Sequence, residues 1–141
     1  MQQPPVRVFV VDDHTVVRRG LRAYLESVGD MEVVGEAADG QEALEGIAAL
    51  VAGGGPPDVV LMDLLMPDMD GVTATAAITE RHPDLAVVAM TSFTQTDLVH
   101  VALQAGAAGY LLKDAEADEV AAAIRAACRA RCIWTRRSPS S

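Results

Sequence analysis

The chain is short of aromatics, cysteines, bases and long apolar runs, and each scarcity removes a class of explanation. Phe, Tyr and Trp make up 4% of its 141 residues, whereas apolar residues make up 50%. A chain of this length can bury one core, and here that core must be aliphatic, built from Val, Leu, Ile, Ala and Met. Only Cys128 and Cys132 carry thiols. Four residues apart on a helix, their Cβ atoms would lie ~5–6 Å from each other, beyond the ~3.5–4.5 Å a disulfide spans. With no His partner they are also a weak metal signal, so they read as half-buried helix thiols. No apolar run approaches the ~20 residues of a membrane helix. Met1-Gln2-Gln3-Pro4-Pro5 lacks the charged and apolar regions of a signal peptide. The expectation is a soluble, cytoplasmic protein with no membrane partner.

Bases are scarce too: 11 against 20 acids, for a net charge of -9. All the acids lie before residue 124, while Arg125, Arg129, Arg131, Arg136 and Arg137 close the chain. An acidic surplus argues against direct nucleic-acid binding by this chain. The basic end is too short to form a DNA-binding domain.

What the sequence does contain is alternation. Apolar runs of strand length, Val6–Val11, Glu32–Ala37, Val59–Met62, Ala86–Thr91 and Gly109–Leu112, alternate with segments of helical spacing. Four of the runs are almost wholly apolar, as in strands covered on both faces, and the more mixed Glu32–Ala37 suits an edge. Helices are predicted from Val17 to Val28, from Asp39-Gly40 through Leu50, from Gly71 to His82, over Leu98 to Ala105 with Thr94 as N-cap and Gly106 as stop, and from about Glu116 through Cys128. The pattern implies an α/β fold with a doubly wound parallel sheet and right-handed crossovers. Residues 1–5 read as an N-terminal tail and 6–128 as the domain. Residues 129–141 read as a disordered tail or as residues foreign to the natural chain. Gly53-Gly54-Gly55-Pro56-Pro57 reads as a flexible connector and lacks the Lys-Ser/Thr of a phosphate-binding loop.

Five polar residues close four of those runs. Asp12 and Asp13 follow the first, Asp63 the third, Thr91 ends the fourth and Lys113 follows the fifth. Parallel sheets bind ligands beyond the carboxyl ends of their strands. Three carboxylates and a backbone carbonyl near Leu65 suit Mg²⁺, a hard ion with oxygen ligands. A carboxylate can attack phosphorus to give an aspartyl phosphate, and Lys113 and Thr91 would then meet the developing charge. Each residue alone has a plainer reading: an acidic pair complementing a helix dipole, a turn aspartate, a cap, a solvated lysine. Their joint occurrence, at the ends of four different strands in order, makes the site. His14 reads as a loop residue, because magnesium prefers oxygen.

These residues resemble a known family. Val10-Val11-Asp12-Asp13-His14 with Arg18, Gly20 and Leu21 is similar to the opening of receiver domains of two-component response regulators, the CheY-like fold, in the NarL/FixJ (LuxR-type) subgroup. Leu61-Met62-Asp63-Leu64-Leu65-Met66-Pro67-Asp68-Met69-Asp70-Gly71, Met90-Thr91-Ser92-Phe93 and Ala105 through Asp114 resemble the remaining signatures. The resemblance implies a (βα)5 flavodoxin-like sheet of order 2-1-3-4-5, with Asp63 as phosphoacceptor for a sensor histidine kinase. It implies Mg²⁺ on Asp12, Asp13, Asp63 and the Leu65 carbonyl, phosphate contacts from Thr91 and Lys113, and Thr91 with Tyr110 as a switch pair. It further implies no enzyme activity beyond the protein's own phosphoryl transfer and autodephosphorylation, and a homodimer on phosphorylation. Transcriptional output would run through a DNA-binding domain absent from this chain. Leu65 stands where many receivers carry a polar side chain that orients a hydrolytic water, which implies an altered phosphoryl lifetime. Competing readings are a phosphatase of the haloacid dehalogenase type, whose Asp-x-Asp is not found after the first strand, and a receiver-like interaction module that never takes phosphate.

Overall fold

The computed structural model describes residues 4–64, 70–92 and 96–137, with the side chains of Thr96 and of residues 130–137 outside that description. Five strands and five helices alternate: β1 Val6–Val11, α1 Thr15–Ser27, β2 Met31–Ala37, α2 Gly40–Ala52, β3 Val59–Asp63, α3 Gly71–Arg81, β4 Ala86–Thr91, α4 Thr96–Gln104, β5 Gly109–Leu112 and α5 Ala117–Arg137. All four pairings are parallel, and the sheet order is β2-β1-β3-β4-β5. The mixed strand is therefore at an edge, as its composition implies.

Alternation along each strand splits the core in two. Val8 and Val10, Val59 and Leu61, and Val88 and Met90 face Leu25 of α1 and Val120 and Ile124 of α5. Phe9 and Val11, Val60 and Met62, and Val87 and Ala89 face Ala43 and Ile47 of α2, Ile78 of α3 and Ala102 of α4. One irregularity interrupts the β1–β2 register. Val8 pairs with Val33 but Phe9 with Gly35. The Phe9 ring fills the space beside Gly35 and Gly46, where a Cβ would come within 2.6 and 2.9 Å of it. The large aromatic of the core thus needs two glycines, one on β2 and one on α2.

Helix starts follow local chemistry. Asp39 caps α2 by accepting from Glu42 N at 2.8 Å, and Glu42 reaches back past the cap to accept from Ala38 N at 3.0 Å, a relative of the capping box shifted by one residue. Asp70 caps α3 by accepting from Thr73 N. Thr94, expected to cap α4, lies outside the described residues, while Gly106 at φ +114° follows that helix as expected.

Two expectations need revision. The segment from Arg129 to Arg137 is helical, the continuation of α5, where a disordered tail was expected. Alanine and arginine are strong helix formers, and no Gly or Pro interrupts the run before Pro139. The glycine-rich connector is also tied down. The Arg7 guanidinium donates to the carbonyls of Gly55 and Pro56 and to Glu32, and Arg7 N donates to Asp58. Among the described residues no helix is long and apolar enough to cross a membrane.

Candidate functional site

The strand ends that carry the five polar residues meet at one edge of the sheet, and backbone bonds lace them together. Asp12 N donates to Ala37 O at 3.1 Å, Leu64 N to Met90 O at 3.0 Å, and Lys113 N to Thr91 O at 2.8 Å. The run from β3 into α3 is closed by Gly71, whose N–H donates to Leu64 O. A methyl group at Gly71 would collide with the Asp63 carbonyl and Leu64 Cα, so only glycine lets α3 begin this close to Asp63.

Asp12 and Asp63 are fully buried and Thr91 is 1% exposed, while Asp13 is partly open to solvent. Lys113, the chain's single lysine, places Nζ 2.9 Å from Asp63 Oδ2 and 4.0 Å from Asp12 Oδ2. One cation therefore faces two buried carboxylates, with a third beside them. Thr91 Oγ1 makes a long contact of 3.4 Å to Ser92 O.

The donors fit a divalent cation. Asp12 Oδ2 and Asp13 Oδ1 are buried atoms with no hydrogen bond, which is costly for carboxylate oxygens unless a cation meets them. One ligand atom from each of Asp12, Asp13, His14 and Asp63 falls within 4.8 Å of the others. Asp12, Asp13, Asp63, Thr91 and Lys113 are thus brought together as expected. Tyr110, on β5, is 53% exposed with its ring outward. Leu65 lies outside the described residues.

Three participants were not read from the sequence as parts of the site. His14 turns its ring toward both acids, with Nδ1 3.2 Å from Asp12 Oδ1 and 3.0 Å from Asp13 Oδ1. Arg18 donates from Nη1 to the Asp12 carbonyl at 2.6 Å and pairs with Glu36 at 3.4 Å. Glu36 also pairs with Arg22 at 2.6 Å, and this bond, with Glu26 nearby, raises the Arg22 pKa above its ordinary value. Gly71 is the third. His14 follows the acid pair directly, and Arg18 and Gly71 stand in the segments that resemble the family, but none of these patterns gave the contacts. A cavity of about 320 Å³ runs down from Asp12 and Lys113 between α1 and α5, over Leu21, Tyr24 and Val120.

Comparison with known proteins points one way. Residues 8–125 match the model of the response regulator receiver domain. The transcriptional regulatory protein LiaR of Bacillus subtilis is 46% identical over 124 residues, covering 88% of this chain and 56% of LiaR. The chain thus spans little more than half the length of that relative. The signal receiver domain of the putative response regulator NarL from Mycobacterium tuberculosis superposes with a TM-score of 0.81 at 39% identity, over 90% of this chain and 98% of that one. CheY in a CheX–CheY–BeF3–Mg complex from Borrelia burgdorferi superposes with a TM-score of 0.78 at 26% identity, over 87% of this chain and 89% of that one.

Proposed function

Because the chain belongs to the response regulator receiver domain family, we propose that Asp63 is its phosphoacceptor and that Asp12, Asp13 and Asp63, with the Leu65 carbonyl, hold Mg²⁺. The observation that carries this reading is the pairing of a fully buried Asp63 with Lys113 Nζ at 2.9 Å beside two buried carboxylate oxygens that lack a hydrogen bond. A bound Mg²⁺ would offset the repulsion among the acids and neutralise phosphoryl oxygens.

A sensor histidine kinase presents a phosphohistidine. An Asp63 carboxylate oxygen attacks phosphorus in line, the P–O bond forms as the P–N bond breaks, and the imidazole leaves with its electron pair and takes up a proton. Lys113 neutralises an equatorial oxygen, and the Thr91 hydroxyl donates to another once its strand end shifts toward the phosphoryl group. Tyr110 fills the space that Thr91 vacates, so its outward ring is the resting position. Autodephosphorylation is attack by water on the same phosphorus, and the Leu65 side chain offers that water no hydrogen bond. The protein's only substrate is thus its own carboxylate.

The phosphorylated state differs in its contacts, and the population follows that difference. The output is a homodimer, and in the whole protein a change in transcription through a DNA-binding domain. Support for that output is the description of LiaR as a transcriptional regulator of greater length.

Incubation with acetyl phosphate and Mg²⁺, read by mass spectrometry, tests the reading. Wild type is expected to gain one phosphoryl group, and Asp63→Asn none. No gain from acetyl phosphate or from any kinase would leave an interaction module that works without phosphate.

A further inference from the structure

We infer that His14 is itself a ligand of the acidic centre, so that the site accepts a divalent transition ion such as Mn²⁺ through one imidazole nitrogen as well as carboxylates. The inference rests on the reading of Asp12, Asp13 and Asp63 as metal-holding residues. His14 occupies the N-cap position of α1, yet its side chain makes no capping bond. The ring turns instead to the acids.

The Nδ1 contact to Asp13 Oδ1, at 3.0 Å, is the telling one. Asp13 Oδ1 is a buried atom with no hydrogen-bond partner. Nδ1 donates to Asp12 Oδ1 in the tautomer that protonates it; with the proton on Nε2, its lone pair and the two carboxylate oxygens converge as donors for a cation. Around an ion with ~2.1 Å bonds in octahedral geometry, adjacent donors are ~3.0 Å apart and opposite donors ~4.2 Å. His14 Nδ1 stands 3.0 and 3.2 Å from its two carboxylate oxygens, which is the spacing of adjacent ligands. All four groups offer donors within 4.8 Å of one another, so a small contraction closes the set.

A second observation points to the same place. Asp12 is fully buried, and its Oδ2 has no hydrogen-bond partner. Lys113 stands 4.0 Å from that oxygen but sits closer to Asp63. The His14 side chain is 63% exposed, so binding metal requires little desolvation. Imidazole favours transition ions, whereas carboxylate and water suit magnesium. His14 would therefore raise the affinity for Mn²⁺ more than that for Mg²⁺.

The test is pulsed electron paramagnetic resonance of Mn²⁺ bound to the folded protein, with Mg²⁺ and Mn²⁺ affinities from calorimetry. Wild type is expected to show ¹⁴N coupling that is lost in His14→Ala and His14→Gln. Outer-shell partners alone change metal affinity 10–100-fold, so losing a ligand should lower the Mn²⁺-to-Mg²⁺ affinity ratio by at least about tenfold. Bound Mn²⁺ without ¹⁴N coupling, or an unchanged ratio in both variants, overturns the inference and leaves an all-oxygen site. Failure of wild type to bind either ion, or binding unaffected by Asp12→Asn, overturns the acidic centre itself and His14 with it.

Discussion

A carboxylate oxygen that is fully buried without a hydrogen bond, as Asp12 Oδ2 is, with Lys113 no closer than 4.0 Å, costs stability until a cation comes nearer, and this makes Asp12 a direct probe of the centre. Asp12→Asn keeps an oxygen for the His14 N–H, which donates to Asp12 Oδ1 at 2.8 Å, while removing charge beside Asp63. In the absence of metal the variant is expected to melt several degrees above wild type, on the order of 1–3 kcal/mol for an unsatisfied buried polar group. It should also lose the rise in Tm that Mg²⁺ gives wild type. A melting scan with and without Mg²⁺ checks both, and a lower metal-free Tm in Asp12→Asn would refute the repulsion argument. Such residues were legible in the sequence because a polar side chain ending an apolar run is a local signal. Gly71 and Arg18 were legible only as members of family-like segments, without their roles. The meaning of Gly71 lies in the Asp63 carbonyl it touches, and that of Arg18 in a carbonyl six residues away that only the turn into α1 brings near.

At the scale of elements, boundaries read well where a stop residue or cap is present and poorly where none is. Asp39 and Asp70 mark the starts of α2 and α3, but α5 has no stop before Pro139 and runs past the point where its apolar spacing fades. What fastens α5 at its middle is a long-range pair, Arg125 to Asp30, at 2.7 and 3.0 Å. The hydrogen bond from Arg125 lowers the Asp30 pKa below its ordinary value. A carboxyl whose folded-state pKa is depressed contributes stability that is present above its unfolded pKa and lost as pH falls through the folded one. Asp30→Asn is therefore expected to be slightly less stable than wild type at neutral pH. The gap should close as pH drops below ~3.9, the free carboxyl value, and shrink in high salt, because both side chains are partly exposed. Melting temperatures across pH and ionic strength measure this; a gap that persists in strong acid would assign the loss to packing.

The whole molecule is a sheet with its chemistry at one edge and exposed apolar side chains on its flanks: Val16 and Val17 on α1, Val101 and Leu103 on α4, and Tyr110 on β5. With beryllofluoride and Mg²⁺, wild type is expected to elute as a dimer in size exclusion while Asp63→Asn keeps the size of the untreated protein; equal elution of treated and untreated wild type would remove the dimer from the proposal. The order of strands came from the family resemblance, the alternation giving only the parallel fold, whereas which flank is used depends on exposure, which no linear pattern carries. The lacing of the strand ends has one more consequence. The site draws on residues from Asp12 to Lys113, and the backbones of β2, β3, β4 and the end of β5 are bonded across it. No fragment of the chain can assemble it, so anything seated there binds only the intact fold and draws molecules away from the open forms that proteases cut. A charged centre of this kind sets the persistence of the protein as well as its shape.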